Sequence, residues 1–207
     1  KKEVKLKVIV LGDVGVGKTS LLNQYVNRRF DHGKCTSTIG SFLYVKENID
    51  VSEEHVVSMN IWDTAGQERF DSLSDLYYRG AQCCLLVFDI FDGKSFEHLD
   101  KWREEVLKRV NPRDPDTYPI AVLGNKLDLV EHATAAQQRV VSSKRAATWC
   151  MNNGIPYYET SAKDGANVEK SFKDIAMFAT GLYYRPYVSS INQSINRSLS
   201  HSISTYI

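Results

Sequence analysis

The stretch LKVIVLGDVGVGKTSLL, residues 6–22, constrains the fold more than any other part of the chain. An apolar, β-branched run suited to a buried strand leads into LGDVGVGKTS, which holds three glycines and a lysine in ten positions. The amphipathic KTSLLNQYVNRR follows. Such a bend is a poor helix and a poor strand; its use is to let the backbone turn so that successive N–H groups point inward. Gly12-x-x-x-x-Gly17-Lys18-Thr19 has the spacing of a phosphate-binding loop between a strand and a helix. In that reading Gly12, Asp13, Val14, Gly15, Val16 and Gly17 wrap the phosphates, and Lys18 sets its ammonium on the β- and γ-phosphates. The Thr19 hydroxyl ligates Mg2+, Ser20 belongs to the same nucleotide-binding set, and the helix opening at Lys18 adds the positive end of its dipole. A chance match in this length is on the order of 1% at ordinary residue frequencies, and the strand–loop–helix context lowers it further. The spacing therefore points to a nucleoside triphosphate site and leaves the base open.

Apolar runs recur along the chain at 55–62, 83–90, 119–124 and, more briefly, 155–160. Near-continuous runs of this kind suit strands buried on both faces, as in a parallel sheet. Helical spacing lies between them. Phe96, Leu99, Trp102, Val106 and Val110 fall at three- and four-residue steps behind a candidate N-cap at Ser95. Val168, Phe172, Ile175, Ala179 and Leu182 do the same after a candidate cap at Asn167. Alternating strand and helix predicts a doubly wound α/β fold, with helices on both faces of a mostly parallel six-stranded sheet. Residues 42–62 break the alternation, since FLYVKENID and EHVVSMNIW are joined by a short polar link. They read as a hairpin that adds one antiparallel edge strand. After Leu182 the chain turns rich in Ser and Asn, so a globular domain is expected over 1–184 and a flexible tail over 185–207.

Asn125-Lys126-Leu127-Asp128 follows the 119–124 run directly. A carboxylate there accepts from guanine N1–H and the exocyclic amine together, a donor pair adenine lacks, while Asn125 and the Lys126 stem hold the loop and cover the ring. Ser161-Ala162-Lys163, after the last run, offers a backbone N–H to guanine O6. Asp63-Thr64-Ala65-Gly66-Gln67 ends another run. Asp63 holds Mg2+ through water, Gly66 brings an N–H to the γ-phosphate, and Gln67 orients the attacking water. Alone, each of these short motifs reads as an ordinary turn; together with the loop at 12–19 they specify GTP hydrolysis, with Lys18 and Gln67 as the catalytic candidates.

Composition excludes several other classes. Lys plus Arg is 26 against 25 for Asp plus Glu, a net charge of +1, which argues against a protein held to nucleic acid mainly by its charge. Cys35, Cys83, Cys84 and Cys150 show no CxxC spacing and read as reduced cytosolic thiols rather than a metal site. No apolar run approaches the roughly 18 residues of a membrane span. The start carries no leader pattern and no initiator Met, so the N-terminus is expected to be incomplete.

With these residues in hand the sequence resembles the Ras-like small GTPases and, within them, the Rab family. WDTAGQERF (62–70) followed by YYRGA (77–81) is a Rab-type stretch. NQYVNRRF, SFEHLDKWREE, NPRDP, VLGNKLDL and ETSAK are similar to the late-endosomal and vacuolar Rab-seven subfamily over about residues 4 to 182. The resemblance implies a monomeric GTP/GDP switch acting in vesicle traffic, cytoplasmic and at the cytosolic face of late endosomes, lysosomes or vacuoles. It implies as partners an exchange factor, a GTPase-activating protein, effectors and a GDP-dissociation inhibitor. By position Phe30 packs beside the guanine, Thr38 reaches Mg2+ in the GTP state, and Ile39, Phe42, Trp62 and Tyr77 meet effectors. Core packing is the competing reading of the three aromatics.

Three departures stand out. The segment from Phe30 to Thr38 is one residue longer than the family pattern and that from Thr38 to Phe42 one shorter, changes expected to cancel; Thr36 and Ser37 compete with Thr38 as ligand. Val14 occupies a position usually held by a small residue beside the γ-phosphate. It is expected to crowd Gln67 and slow hydrolysis, which makes a GTP-binding scaffold with little turnover the alternative function. Rab proteins usually end in prenylated cysteines, and no cysteine follows Cys150 here. The tail instead places Val188, Ile191, Ile195, Leu199 and Ile203 at helical spacing among Ser and Asn, which are poor helix formers. An ATP-dependent kinase sharing the phosphate loop is disfavoured by Asp128 and by the lack of an Arg-rich lid insertion.

Overall fold

A computed structural model describes residues 1–31, 41–64, 76–131, 133–134 and 138–182. The tail, the domain boundary at 184 and residues Cys35, Thr36, Ser37, Thr38, Ile39, Gly66 and Gln67 lie outside the described residues. The strands are β1 (Lys2–Leu11), β2 (Ser41–Asp50), β3 (His55–Thr64), β4 (Cys83–Asp89), β5 (Ile120–Asn125) and β6 (Tyr157–Glu159). The helices are α1 (Lys18–Asn27), α2 (Gly93–Glu97), α3 (Leu99–Val110), α4 (Ser143–Asn152) and α5 (Val168–Ala179), with a 3-10 turn at Leu127–Leu129.

These strands form one six-stranded sheet in the order β2-β3-β1-β4-β5-β6. Every neighbouring pair is parallel except β2–β3. The expected mixed doubly wound sheet is thus the observed one, with β2 as its antiparallel edge. Continuous apolar runs arise because alternate residues of one strand enter different cores. Val8 and Val10 pack with Leu21, Leu22, Tyr25, Met59, Ile61 and Phe172 under α1 and α5. Ile9 and Leu11 pack with Leu86, Phe88, Phe96, Leu99 and Trp102 under the other helices. Both faces exclude water, which removes the polar alternation of a half-exposed sheet. β4 divides its thiols in the same way, Cys83 on the α1 side and Cys84 on the other. Cys83, Cys84 and Cys150 are all free and buried. Burial pushes the Cys83 thiol up to about 12.

The structure corrects one helix start and keeps another. Ser95 is not an N-cap: the helix begins two residues earlier, capped by Asp92, whose carboxylate accepts from the Lys94 N–H at 3.0 Å. Ser95 is buried, and its Oγ accepts from the Asp89 N–H and donates to the Asp92 carbonyl, tying the helix to the end of β4. The expected single helix is divided at His98 into α2 and α3. Asn167 does sit at the N-cap position of α5, in a left-handed conformation with φ 55°, yet its side chain caps nothing; it donates to the Glu159 carbonyl instead. The β2–β3 hairpin forms, with a register irregularity between Lys46 and Ile49 where Asn48 takes φ 57°.

Tyr25 stacks on Phe172 at 4.0 Å between ring centres, joining α1 to α5 across the first core. Its buried hydroxyl has no hydrogen-bond partner among the described residues. Tyr25→Phe keeps the stack and removes that orphan, so stability is expected to hold or to rise by up to about 1–3 kcal/mol. Phe172→Ala opens a cavity at the same contact and is expected to lose about 3–5 kcal/mol. Urea midpoints of both variants against the parent check the pair.

Candidate functional site

In an open α/β sheet, ligands bind outside the carboxyl ends of the strands, near the point where the strand order reverses. Here β1, the strand before the reversal, releases residues 12–17 at that edge. The register aligns Val10 of β1 with Asp63 of β3, and Asp89 of β4 with Asn125 of β5. The motifs found separately in the sequence therefore emerge along one edge.

The loop's glycines are required sterically. Gly12 has φ +146°, and a Cβ there would lie 2.1 Å from the Val87 carbonyl oxygen. Gly17 has φ +98°, and a Cβ there would lie 2.4 Å from Asn125 Nδ2. Val16 is buried beneath the loop, whereas Gly15 and Val14 are exposed on its rim, Val14 at 44%. Helix α1 begins at Lys18 with no side-chain cap and no acidic residue in its first turn, which leaves its positive end uncompensated toward the loop. Lys18 is only 6% exposed. Its ammonium donates to the Gly12 carbonyl at 2.7 Å and the Asp13 carbonyl at 2.9 Å. Burial lowers its pKa to about 8, against the opposing pull of Asp63 and Asp13.

Asp63 is fully buried at the end of β3. The Thr19 hydroxyl donates to its Oδ2 at 2.6 Å, while Oδ1 has no hydrogen-bond partner among the described residues. Burial raises the Asp63 pKa, and the Thr19 hydrogen bond and Lys18 oppose that rise. A hydroxyl and a carboxylate in contact, with one buried carboxylate oxygen unsatisfied, fit a hard cation and its water shell. The sequence-assigned Mg2+ pair is thus brought together, while the third candidate, Thr38, lies outside the described residues.

The base end is organised by Asn125, which is 1% exposed. Its Nδ2 donates to the Val16 carbonyl at 2.9 Å, and its Oδ1 accepts from the Ala162 N–H at 3.2 Å and from the Thr160 hydroxyl at 3.4 Å. One amide thereby joins the phosphate loop, β5 and the loop after β6. Lys126 adopts φ 73° and pairs with Asp89 Oδ2 at 2.7 Å, which extends its stem along the rim. The Ser161 hydroxyl donates to Asp128 Oδ1 at 2.9 Å and accepts from the Asp164 N–H, aiming the carboxylate of the 3-10 turn. Ser20 and Phe30 are half-buried, Phe30 against the first core, and Lys163 is exposed.

The aromatic set is divided. Trp62 and Tyr77 lie 5.5 Å apart. The register, however, sets Phe42 opposite Asp63 and Leu43 opposite Trp62. Side chains alternate along a strand, so Leu43 shares the Trp62 face and Phe42 lies on the reverse. Tyr44, on the Phe42 side, bonds Asn23 of α1. The structure therefore does not bring Phe42 together with Trp62 and Tyr77. The register alone decides this, by setting Leu43 and not Phe42 across from Trp62. Lys7 is a contact that sequence reasoning missed: its ammonium donates to the Leu76 and Arg79 carbonyls and lies 5.1 Å over the Trp62 ring. Nothing local in β1 announces it.

A model described as the Ras family matches residues 7–180 of the chain. The Ras-related protein Rab-7a of Dictyostelium discoideum is 55% identical over 183 residues, 88% of this chain and 86% of that protein. The Ras-related protein Rab7 of Drosophila melanogaster is 54% identical over 88% of this chain and 84% of its own. The Ypt/Rab-type GTPase avaA of Emericella nidulans is 53% identical over 86% and 84%.

Asn125→Ala would strand the Val16 carbonyl and the Ala162 N–H in a buried setting. It is expected to cost about 1–3 kcal/mol and to loosen the phosphate loop and the base loop together. Thermal melts, with hydrogen exchange at residues 12–17 and 160–166, check whether both segments respond.

Proposed function

The chain belongs to the Ras family and is a Rab-type GTPase of endosomal and vacuolar traffic, and from that premise we propose which of its residues do the work. The observation that carries the assignment is the Asn125 amide, which ties the phosphate loop to the loop that aims Asp128. A triphosphate site and a guanine-reading carboxylate are then parts of one rigid body.

GTP lies along the carboxyl edge of the sheet. Asp128 accepts from guanine N1–H and the exocyclic amine, a backbone N–H of 161–163 donates to O6, and Phe30 and the Lys126 stem flank the ring. The N–H groups of residues 13–20 wrap the phosphates. Lys18 exchanges its carbonyl partners for β- and γ-phosphate oxygens, where its charge offsets the negative charge that develops on them. Gly66 places an N–H at the γ-phosphate, and Gln67 orients the water for in-line attack. Thr19 and Thr38 would hold Mg2+ directly and Asp63 through water, and the ion would supply positive charge to the phosphate oxygens. Hydrolysis yields GDP and phosphate and is slow until an activating protein assists it.

The γ-phosphate contacts of Thr38 and Gly66 order the segments around them, and exchange factors, activating proteins and effectors act on the two states. No helix among the described residues is long and apolar enough to cross a membrane. The protein acts at late-endosomal or vacuolar membranes in this proposal. Effectors read Leu43 and Trp62 on one face of the hairpin together with Tyr77 beside Trp62, and Phe42 lies on the other face.

Chromatography of the nucleotide released on denaturing freshly purified protein tests the reading. GDP is expected; adenine nucleotide would overturn it. Recovered GTP would favour the second reading, a scaffold with little turnover, for which the exposed Val14 side chain on the loop rim is the specific observation. Val14→Ser is expected to hydrolyse GTP faster, alone or with an activating protein, in single-turnover assays. Leu43→Asp is expected to weaken capture by a GTP-selective effector by tenfold or more, on the order of one buried apolar contact, while Phe42→Asp loses much less; titration of both variants in the GTP form decides.

A further inference from the structure

Asp13 presents a problem that the assigned site leaves open. A loop built to receive phosphates carries a carboxylate, and like charges repel. The structure turns that carboxylate outward and occupies both of its oxygens. The Trp102 indole N–H of α3 donates to Oδ1 at 2.8 Å, and His98 Nδ1, at the junction of α2 and α3, lies 2.6 Å from Oδ2. An ionised carboxylate only accepts, so Nδ1 carries the proton. The same residue's carbonyl receives the Lys18 ammonium at 2.9 Å. The Asp13 side chain is 22% exposed and the His98 side chain 51% exposed. Trp102 N donates to the His98 carbonyl, so the two clamping residues are themselves held in one helical turn.

We propose that His98 and Trp102 are positioning residues for the nucleotide site. Through Asp13 they fix the rim of the phosphate loop and hold its negative charge away from the phosphates, and thereby slow GDP release. Two consequences follow from the connectivity. The start of α3 and the loop rim move together, since one carboxylate is bonded to both donors. Losing either donor frees Asp13 to rotate toward the phosphates, which weakens retention electrostatically as well as by loosening the loop. The proposal rests on the nucleotide-site reading above.

The test loads the full chain with a fluorescent GDP analogue and follows its release against excess GDP. His98→Ala and Trp102→Phe are each expected to release the analogue about three- to tenfold faster, the range of coupling through one shared contact. His98→Asn, which keeps a donor at the δ position, is expected to restore slow release. Because both residues act through one carboxylate, neither substitution adds to the effect of Asp13→Ala. Release at the parent rate in both single variants would overturn the proposal. So would a Trp102→Phe effect that persists undiminished beside Asp13→Ala, since that pattern belongs to core packing of the indole. His98 is surface-placed, so its variants keep the test decisive if Trp102→Phe folds poorly. A parent chain that took up no labelled GDP would remove the premise itself, and that result is visible before any variant is made.

Discussion

The buried amide of Asn125 is the constraint on which the site depends. It sits at the end of β5, yet it satisfies a carbonyl of the loop after β1 and an N–H of the loop after β6. These three segments are far apart in sequence, and loops at a sheet edge otherwise move independently. The low dielectric around a side chain 1% exposed makes each of those bonds costly to leave unmade, so the three segments are driven into one arrangement. The steric fit of Gly17 against the same amide closes the arrangement: a Cβ at 2.4 Å from Nδ2 would push the tie open. The glycine of the phosphate motif is thus set as much by the base-end asparagine as by the ligand.

The architecture was legible where the physics is local or uniform. The runs in β1, β4 and β5 announced a sheet covered on both sides because burial of both faces erases polar alternation, and the two cores bear that out. The phosphate loop was legible because its glycines answer to φ and clearance, which no other residue type meets. The start of α2 was not, because Ser95 and Asp92 are both good caps and only the inward turn of Ser95 toward β4 decides between them. The face of Phe42 was not, because register is fixed by cross-strand pairing and a shift of one residue exchanges the faces.

Contacts between distant segments were the least legible. Asp13 meets residues 85 and 89 positions away, and Lys7 meets carbonyls 69 and 72 positions away. In sequence Asp13 is one polar residue in a loop, and Lys7 one charge in a strand. The pairing is a property of the sheet order, which brings β1 beside β4, with α3 reaching the loop after β1 and the segment after residue 75 reaching Lys7 within it. The sites of chemistry could be named from motifs; the braces that hold them could not.

The division of the β4 thiols makes the domain a recorder of its own opening. Cys83 is sealed in the core under α1 and α5, and Cys84, one residue on, in the core under α2, α3 and α4. A buried thiol is scarcely ionised near neutrality and out of reach of an alkylating reagent, so each is marked only when its covering layer lifts. Adjacent sulfurs on one strand therefore time the two layers separately. Equal labelling rates would describe a sheet that is stripped on both sides at once, and unequal rates would reveal which layer leaves first.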